Sequence, residues 1–219
     1  GNILYTRWDN IAGTDRFSLY RTTPAGAQSS LMYGYHSNAS NNSSGGEAHF
    51  QMLQNSTNGK VLGILRERTQ NATIVGGPIV ELDITNYTDR NAPTASNTGL
   101  LGPAFSLIAS DNILSTSLLS AGGRYGSIFP FNDNTARYIV TYSPCLVNSG
   151  VITTVCQAGN AGTEIGQLGI WLLDLSNPQN PLLQPIILGD SSSLRYSEAV
   201  IAESQNEPTY IAPPPANSL

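Results

Sequence analysis

The stretch HFQMLQNSTNGKVLGILRER (49–68) reads as a strand, a tight turn and a second strand. Its hinge is Asn58-Gly59, a residue pair that tolerates positive φ and therefore closes short hairpins. A third strand follows in PIVELDITNY (78–87), which ends in the turn phrase Thr85-Asn86-Tyr87. The same order returns downstream. SIFPFNDNTAR (127–137) runs through Asp133-Asn134 into YIVTYSPC (138–145), and GIWLLDLSNP (169–178) comes after it. An earlier copy pairs ILYTRWDN (3–10) with FSLYRTTPAG (17–26). Strand, turn, strand, connector, strand is the order within a propeller blade. The expected fold is all-β, with antiparallel β-propeller-type blades. About three are counted, where closed propellers use four or more, so they are read as part of a larger propeller. Helical periodicity is lacking; even 100–120 is interrupted by Gly102, Pro103 and Asp111-Asn112.

The first strands begin at 3, 61 and 138, wider apart than a usual blade of about 40–50 residues. The excess falls in 33–49, in 90–106 and in the loop holding the cysteines. A β-sandwich is the competing architecture, since it too is built of many short strands. Residues 1–211 are assigned to the partial propeller domain. Residues 212–219 (APPPANSL) are a Pro-rich tail or linker, because Pro213 to Pro215 lack the N–H groups a sheet needs. Gly1-Asn2 is placed like Asn58-Gly59, so the chain is expected to enter in the middle of a blade. ILYTRW carries neither Lys nor Pro to protect an edge. Residues 3–8 are therefore expected to be hydrogen-bonded on both sides, with YSEAVIAES (196–204) or a separate chain as the outer partner.

Composition narrows the function. Charged residues make up 11% of the chain, against about 25% in an ordinary globular protein. The net charge is −5, and Lys60 is the single lysine. A nucleic-acid surface needs clustered basic residues, so no nucleic-acid partner is expected. No apolar run reaches the roughly 20 residues of a membrane span. Sparse lysine with many Asn, Ser and Thr loops resembles exported proteins, which points to a periplasmic or extracellular location.

Cys145 and Cys156 flank a turn at Asn148-Ser149-Gly150. Strands folding back on that turn would bring the sulfurs within bridging distance, so a disulfide is expected. Two buried thiols, or a metal site lacking further ligands, are the other readings.

The strand pairs resemble the repeats of the periplasmic Tol-system propeller. More closely, they resemble large bacterial secreted proteins related to the middle domain of the hydrazine synthase alpha subunit. The residues that carry this are ILYTRWDN with LYRTTPAG, LMYGYHS (31–37), RYIVTYSPC (137–145) and GIWLLDL (169–175). The resemblance implies a propeller inside a larger exported protein whose redox chemistry, where present, is carried by haem-bearing parts. No C-x-x-C-H occurs here, so no haem site carries over.

The residues offer little for catalysis. His36 and His49 are the only histidines and lack a third ligand for zinc. No G-x-S-x-G elbow is present. Asp9, Asp15 and Asp133 sit in oxygen-rich segments without the full calcium-loop spacing, and turn formation explains them. Six N-x-S/T triplets begin at Asn38, Asn41, Asn42, Asn55, Asn71 and Asn86. Arg7, Asp9, Arg66 and Arg68 close the first strands. At a shared face they would either clamp an anionic ligand or pair as ties between blades. Trp8 and Trp171 are expected to pack between blades. The expected function is non-catalytic, with no cofactor: a binding or scaffolding module whose partner is another protein or the rest of the propeller. The propeller portion of a haem-bearing redox enzyme is the alternative.

Overall fold

The computed structural model describes residues 2–11, 14–34, 49–56, 58–66, 76–89, 92–94, 104–109, 112–149, 152–156, 164–189 and 196–202. Among these residues there is no helix, and every strand pair is antiparallel. The first sheet runs β1 (Ile3–Ile11), β2 (Thr14–Thr22), β3 (Ser30–Tyr33). The second runs β4 (His49–Asn55), β5 (Val61–Arg66), β6 (Ile79–Leu82), β9 (Phe105–Leu107). A small hairpin, β7 (Tyr87–Asp89) with β8 (Ala92–Pro93), fills the connection between β6 and β9. The third sheet runs β10 (Arg124–Pro130), β11 (Arg137–Ser143), β15 (Gly169–Asp174), β16 (Leu182–Ile187). Between β11 and β15 the cysteine loop folds as its own sheet, β13 (Ile152–Val155), β12 (Leu146–Ser149), β14 (Glu164–Ile165).

Both expected hairpins form at the expected residues. Gly59 (φ 80°) and Asn134 (φ 61°) take left-handed backbone, which closes the β4–β5 and β10–β11 turns. After the third strand of each four-stranded sheet an aspartate repeats one device. Asp83 Oδ1 accepts the N–H groups of Thr85 and Asn86, and Asp174 Oδ1 accepts the N–H and hydroxyl of Ser176. Such side-chain turns end a strand by offering its backbone a local partner.

Two cores lie between the sheets. Leu19 and Tyr33 of the first sheet meet Val61, Val80 and Leu82 of the second. On the other face of the second sheet, Leu62, Ile64 and Ile79 meet Tyr125, Ile128, Val140 and Leu173 of the third. Alternation along β5 explains this, since Val61 and Leu62 point to opposite faces. Each buried aliphatic side chain contributes about 1.5–3 kcal/mol, so these cores outweigh surface ion pairs at about 0–1 kcal/mol each. The second sheet is thus covered on both faces, which a two-sheet sandwich does not do. An isolated bridge ties it to the third: Gly77 N–H donates to Tyr125 C=O at 3.0 Å and Tyr125 N–H to Gly77 C=O at 3.1 Å.

Three expectations need correction. Trp8 is 60% exposed and stacks on its cross-strand neighbour Phe17 instead of packing between sheets. Trp171 does enter the second core, where it meets the Tyr142 ring edge-on. Among the described residues β1 pairs with β2 and lies at the end of its sheet's strand order; the expected outer partner of residues 3–8 is not among them. Residues 196–202 do not lie along β1. They run past the third sheet, where Tyr196 N–H donates to Leu168 C=O and the Thr141 hydroxyl to Ser197 C=O. Finally, Phe105 and Ser106 do not belong to an insertion but open the fourth strand of the second sheet.

Candidate binding surface

Of the residues singled out at the strand ends, Arg7 and Asp9 lie together. Arg7 and Asp9 sit two apart on β1, on one face by alternation, and pair with each other at 2.9 Å. Tyr20 on β2, which stands opposite Tyr5, completes the group. The Arg7 guanidinium lies 3.7 Å from the Tyr20 ring centre and donates to its hydroxyl at 2.7 Å, while that hydroxyl donates to Asp9 Oδ2 at 3.2 Å. Tyr5 stacks against Tyr20 and shares a hydrogen bond with the Ser29 hydroxyl. Hydrogen bonding to Asp9 raises the Arg7 pKa further above its ordinary value, so the group stays cationic. Among the described residues Arg7 and Asp9 are thus joined within one strand.

Arg66 stands at the end of β5, in the second sheet. Burial and then the charge of Arg124 lower its pKa, a pairing of like charges across the second and third sheets. Arg68 and His36 lie outside the described residues, as do Asn38, Asn41, Asn42 and Asn71. His49 opens β4 and Asn55 ends it. Asn86 gives its side-chain amide to Asp83. Asp15 is placed in β2. Asp133 serves its turn: its carboxylate accepts from Thr135 and from Arg137 at 2.5 Å, and these bonds hold its pKa down at about 2. Among the described residues no three His, Cys, Asp or Glu side chains gather as metal ligands.

Three features were not read from the residues. Arg124, 1% exposed, enters the core at the start of β10 and donates to the carbonyls of Leu114, Thr116 and Leu118. Ser120, fully buried, accepts from Leu114 N–H and donates to Gly123 C=O, so the segment 112–123 is knotted around these two side chains. The second feature is Glu81 on β6. It accepts from Lys60 (2.9 Å), Asn58 (2.8 Å) and Ser56 (3.1 Å), tying the β4–β5 turn to the neighbouring strand. The third is an open cleft of about 390 Å³ lined by Asn2, Arg21, Thr22, Thr23, Gln28 and Ser30. Gln28 holds a left-handed backbone (φ 57°) at its rim. Amides, hydroxyls and one guanidinium can hydrogen-bond a small polar ligand, but this lining holds no general base or nucleophile–base pair.

Glu81 yields a pH prediction. Burial opposes its ionisation, but the bonds from Lys60, Asn58 and Ser56 outweigh burial and its pKa falls below the ordinary 4.5. A depressed carboxylate contributes stability that is present above its unfolded pKa and lost as pH falls through the folded one. Glu81→Gln is expected to cost about 1 kcal/mol at neutral pH, after discounting for the exposed Lys60. The difference from the parent should shrink below about pH 4, as Glu81 of the parent takes up a proton and becomes neutral like the amide. Urea midpoints at neutral and acid pH measure it; equal midpoints at neutral pH would remove the role assigned to Glu81.

Cys145 and Cys156 are joined as a disulfide, with Cα atoms 5.3 Å apart. Cys156 N–H also donates to Cys145 C=O, and Val147 and Leu119 pack on the bridge. Replacing both cysteines by serine is expected to cost about 2–4 kcal/mol, as a short loop closed by a bridge predicts. Thermal melting with and without reductant checks this. An unchanged melting temperature would show that β12 and β13 hold the loop without the bridge.

No protein-family model, curated protein or solved structure matches the chain.

Proposed function

We propose that this chain is part of a β-propeller that serves as a non-catalytic binding or scaffolding module in the periplasm or outside the cell. The observation that carries the architecture is the second sheet. Its inner strands β5 and β6 are buried on both faces, between a three-stranded and a four-stranded antiparallel sheet. Stacking of successive meanders is what blades do. The disulfide fits an oxidising compartment, and no helix among the described residues is long and apolar enough to cross a membrane. The resemblance to hydrazine synthase-type propellers leads to the same architecture and rests on the strand phrases alone.

An experimental structure of the natural full-length protein, with its absorption spectrum, tests the reading. The expected result is further sheets stacked beyond the third, with β4 and β10 nearest the central axis and no haem absorption. A third sheet whose far face meets only solvent would overturn the propeller. A haem band in the purified protein would overturn the scaffolding role in favour of the redox enzyme.

A further inference from the structure

We propose that the cleft at the end of the first sheet is a binding site for a small hydroxylated carboxylate, of the chemical class of the sugar acids. The inference uses the first sheet alone and stands whether or not the three sheets belong to a propeller.

The cleft's volume of about 390 Å³ falls within the roughly 300–1,000 Å³ of small-molecule sites. Its six lining residues are all polar and none is acidic, so in a chain of net charge −5 the cleft carries a local positive charge. Arg21 supplies it. Arg21 stands opposite Leu4 on β1 and Ser30 on β3, and by alternation on the face of β2 that carries Leu19 into the first core. Other described basic side chains are committed: Arg7 to Asp9, Lys60 to Glu81, Arg137 to Asp133, and Arg124 to three carbonyls. Arg21 is exposed and enters no ion pair among the described residues. Its planar fork can therefore take a carboxylate through two parallel hydrogen bonds.

The rest of the lining calls for hydroxyls on the ligand. Gly26 N–H donates to Thr23 C=O at 2.9 Å, and Ala27 C=O accepts the Thr23 N–H at 3.2 Å and the hydroxyls of Thr22 and Thr23, each at 3.1 Å. The loop is thus set in place, and both threonine hydroxyls direct their protons to Ala27. Their oxygens keep lone pairs that accept. The amides of Asn2 and Gln28 and the hydroxyl of Ser30 can donate and accept. Acetate or phosphate would use the donors and leave the acceptors idle, whereas a ligand with hydroxyls beside its carboxylate uses both. Gln28 adds a second observation. Its φ of 57° is left-handed backbone, which glycine would take without strain. Strain of this kind collects where a ligand is held, and at this position it places an amide on the cleft.

Isothermal titration calorimetry on the intact chain tests this, with galacturonate and glucuronate as probes. Galactose and glucose are their neutral counterparts, and acetate and inorganic phosphate are anions without the sugar hydroxyls. At least one sugar acid should bind about ten-fold or more tighter than its neutral counterpart and than either simple anion. Arg21→Gln should weaken that acid about ten-fold, to the level of the neutral sugar, with the circular dichroism spectrum unchanged. Gln28→Gly should weaken it about three-fold while the melting temperature holds or rises, because glycine relieves the backbone. Acetate or phosphate binding as tightly as the acids would make the cleft a general anion site and overturn the ligand class. Equal binding of acid and neutral sugar, or full binding by Arg21→Gln, would overturn the part given to Arg21. Failure of both acids to bind at millimolar concentration would overturn the site itself.

Discussion

Replacing Arg124 by alanine is expected to destabilise the chain by about 3–5 kcal/mol, the largest effect of any single side chain here. Three carbonyls lose a charged donor, and each hydrogen bond to a charged group is worth about 1.5–3 kcal/mol before compensation. Relief from burying the guanidinium offsets part of that loss. The carbonyls of Leu114, Thr116 and Leu118 then lack that donor inside the protein, which water must enter to correct. Arg124→Lys should recover little, because one ammonium cannot reproduce the planar fork that spans three acceptors. Urea unfolding followed by tryptophan fluorescence is the measurement, with limited proteolysis across 112–123 as a local readout. Leu119, in that segment, packs on the disulfide, so loosening it should also make the bridge easier to reduce. A loss under about 1 kcal/mol would show that the segment holds itself.

Gly76→Ala is expected to cost about 3–4 kcal/mol through a different cause. Gly76 has φ 114°, a conformation that side chains strain to adopt. A Cβ there would also run into the backbone carbonyl of Tyr125, which cannot move without breaking the bridge to Gly77. That bridge joins the second and third sheets beside their shared core. Gly59→Ala is the control. Its φ of 80° carries the same kind of strain, but an added Cβ meets nothing within 4 Å. The control should lose about 1 kcal/mol. Equal losses at both positions would mean that backbone strain alone, and not the close approach of two sheets, makes Gly76 necessary.

The Gly76 prediction concerns the stacking of sheets, and the proposed function depends on that stacking. A module that only binds needs a rigid frame more than reactive groups. The Arg7–Asp9–Tyr20 cluster and the polar cleft beside Arg21 are held by such a frame, one on β1 and β2 and the other at the end of the same sheet. Neither was legible as a site. Arg7 and Asp9 were marked by their place at a strand end, but Tyr20 joins them only through the β1–β2 register.

The last strand of each main sheet shows where the residues cease to tell. β3, β9 and β16 lie at the outer ends of their sheets, and β16 is exposed along almost its whole length. A strand that buries no face carries no alternation, and Pro185 within β16 argues against a strand unless its edge position is known. The turns at Thr85-Asn86 and Ser176-Asn177 were legible in the residues, but the part of Asp83 and Asp174 in closing them was not. In both copies the aspartate turns the chain after the third strand.

What the sequence determined by itself was local: the inner strands, the turns at Asn58-Gly59 and Asp133-Asn134, and the nearness of Cys145 to Cys156. These arise from alternation, from residues that tolerate positive φ, and from a short hairpin, all of which act within a dozen or so residues. Tertiary structure alone decided which faces meet. It buried Arg124 while leaving Trp8 at the surface, and it set β1 at the end of its sheet's strand order and sent 196–202 to the third sheet. The reason is physical. A side chain's burial depends on which distant sheet covers it, and that choice is made by the summed apolar area of whole faces rather than by any one residue.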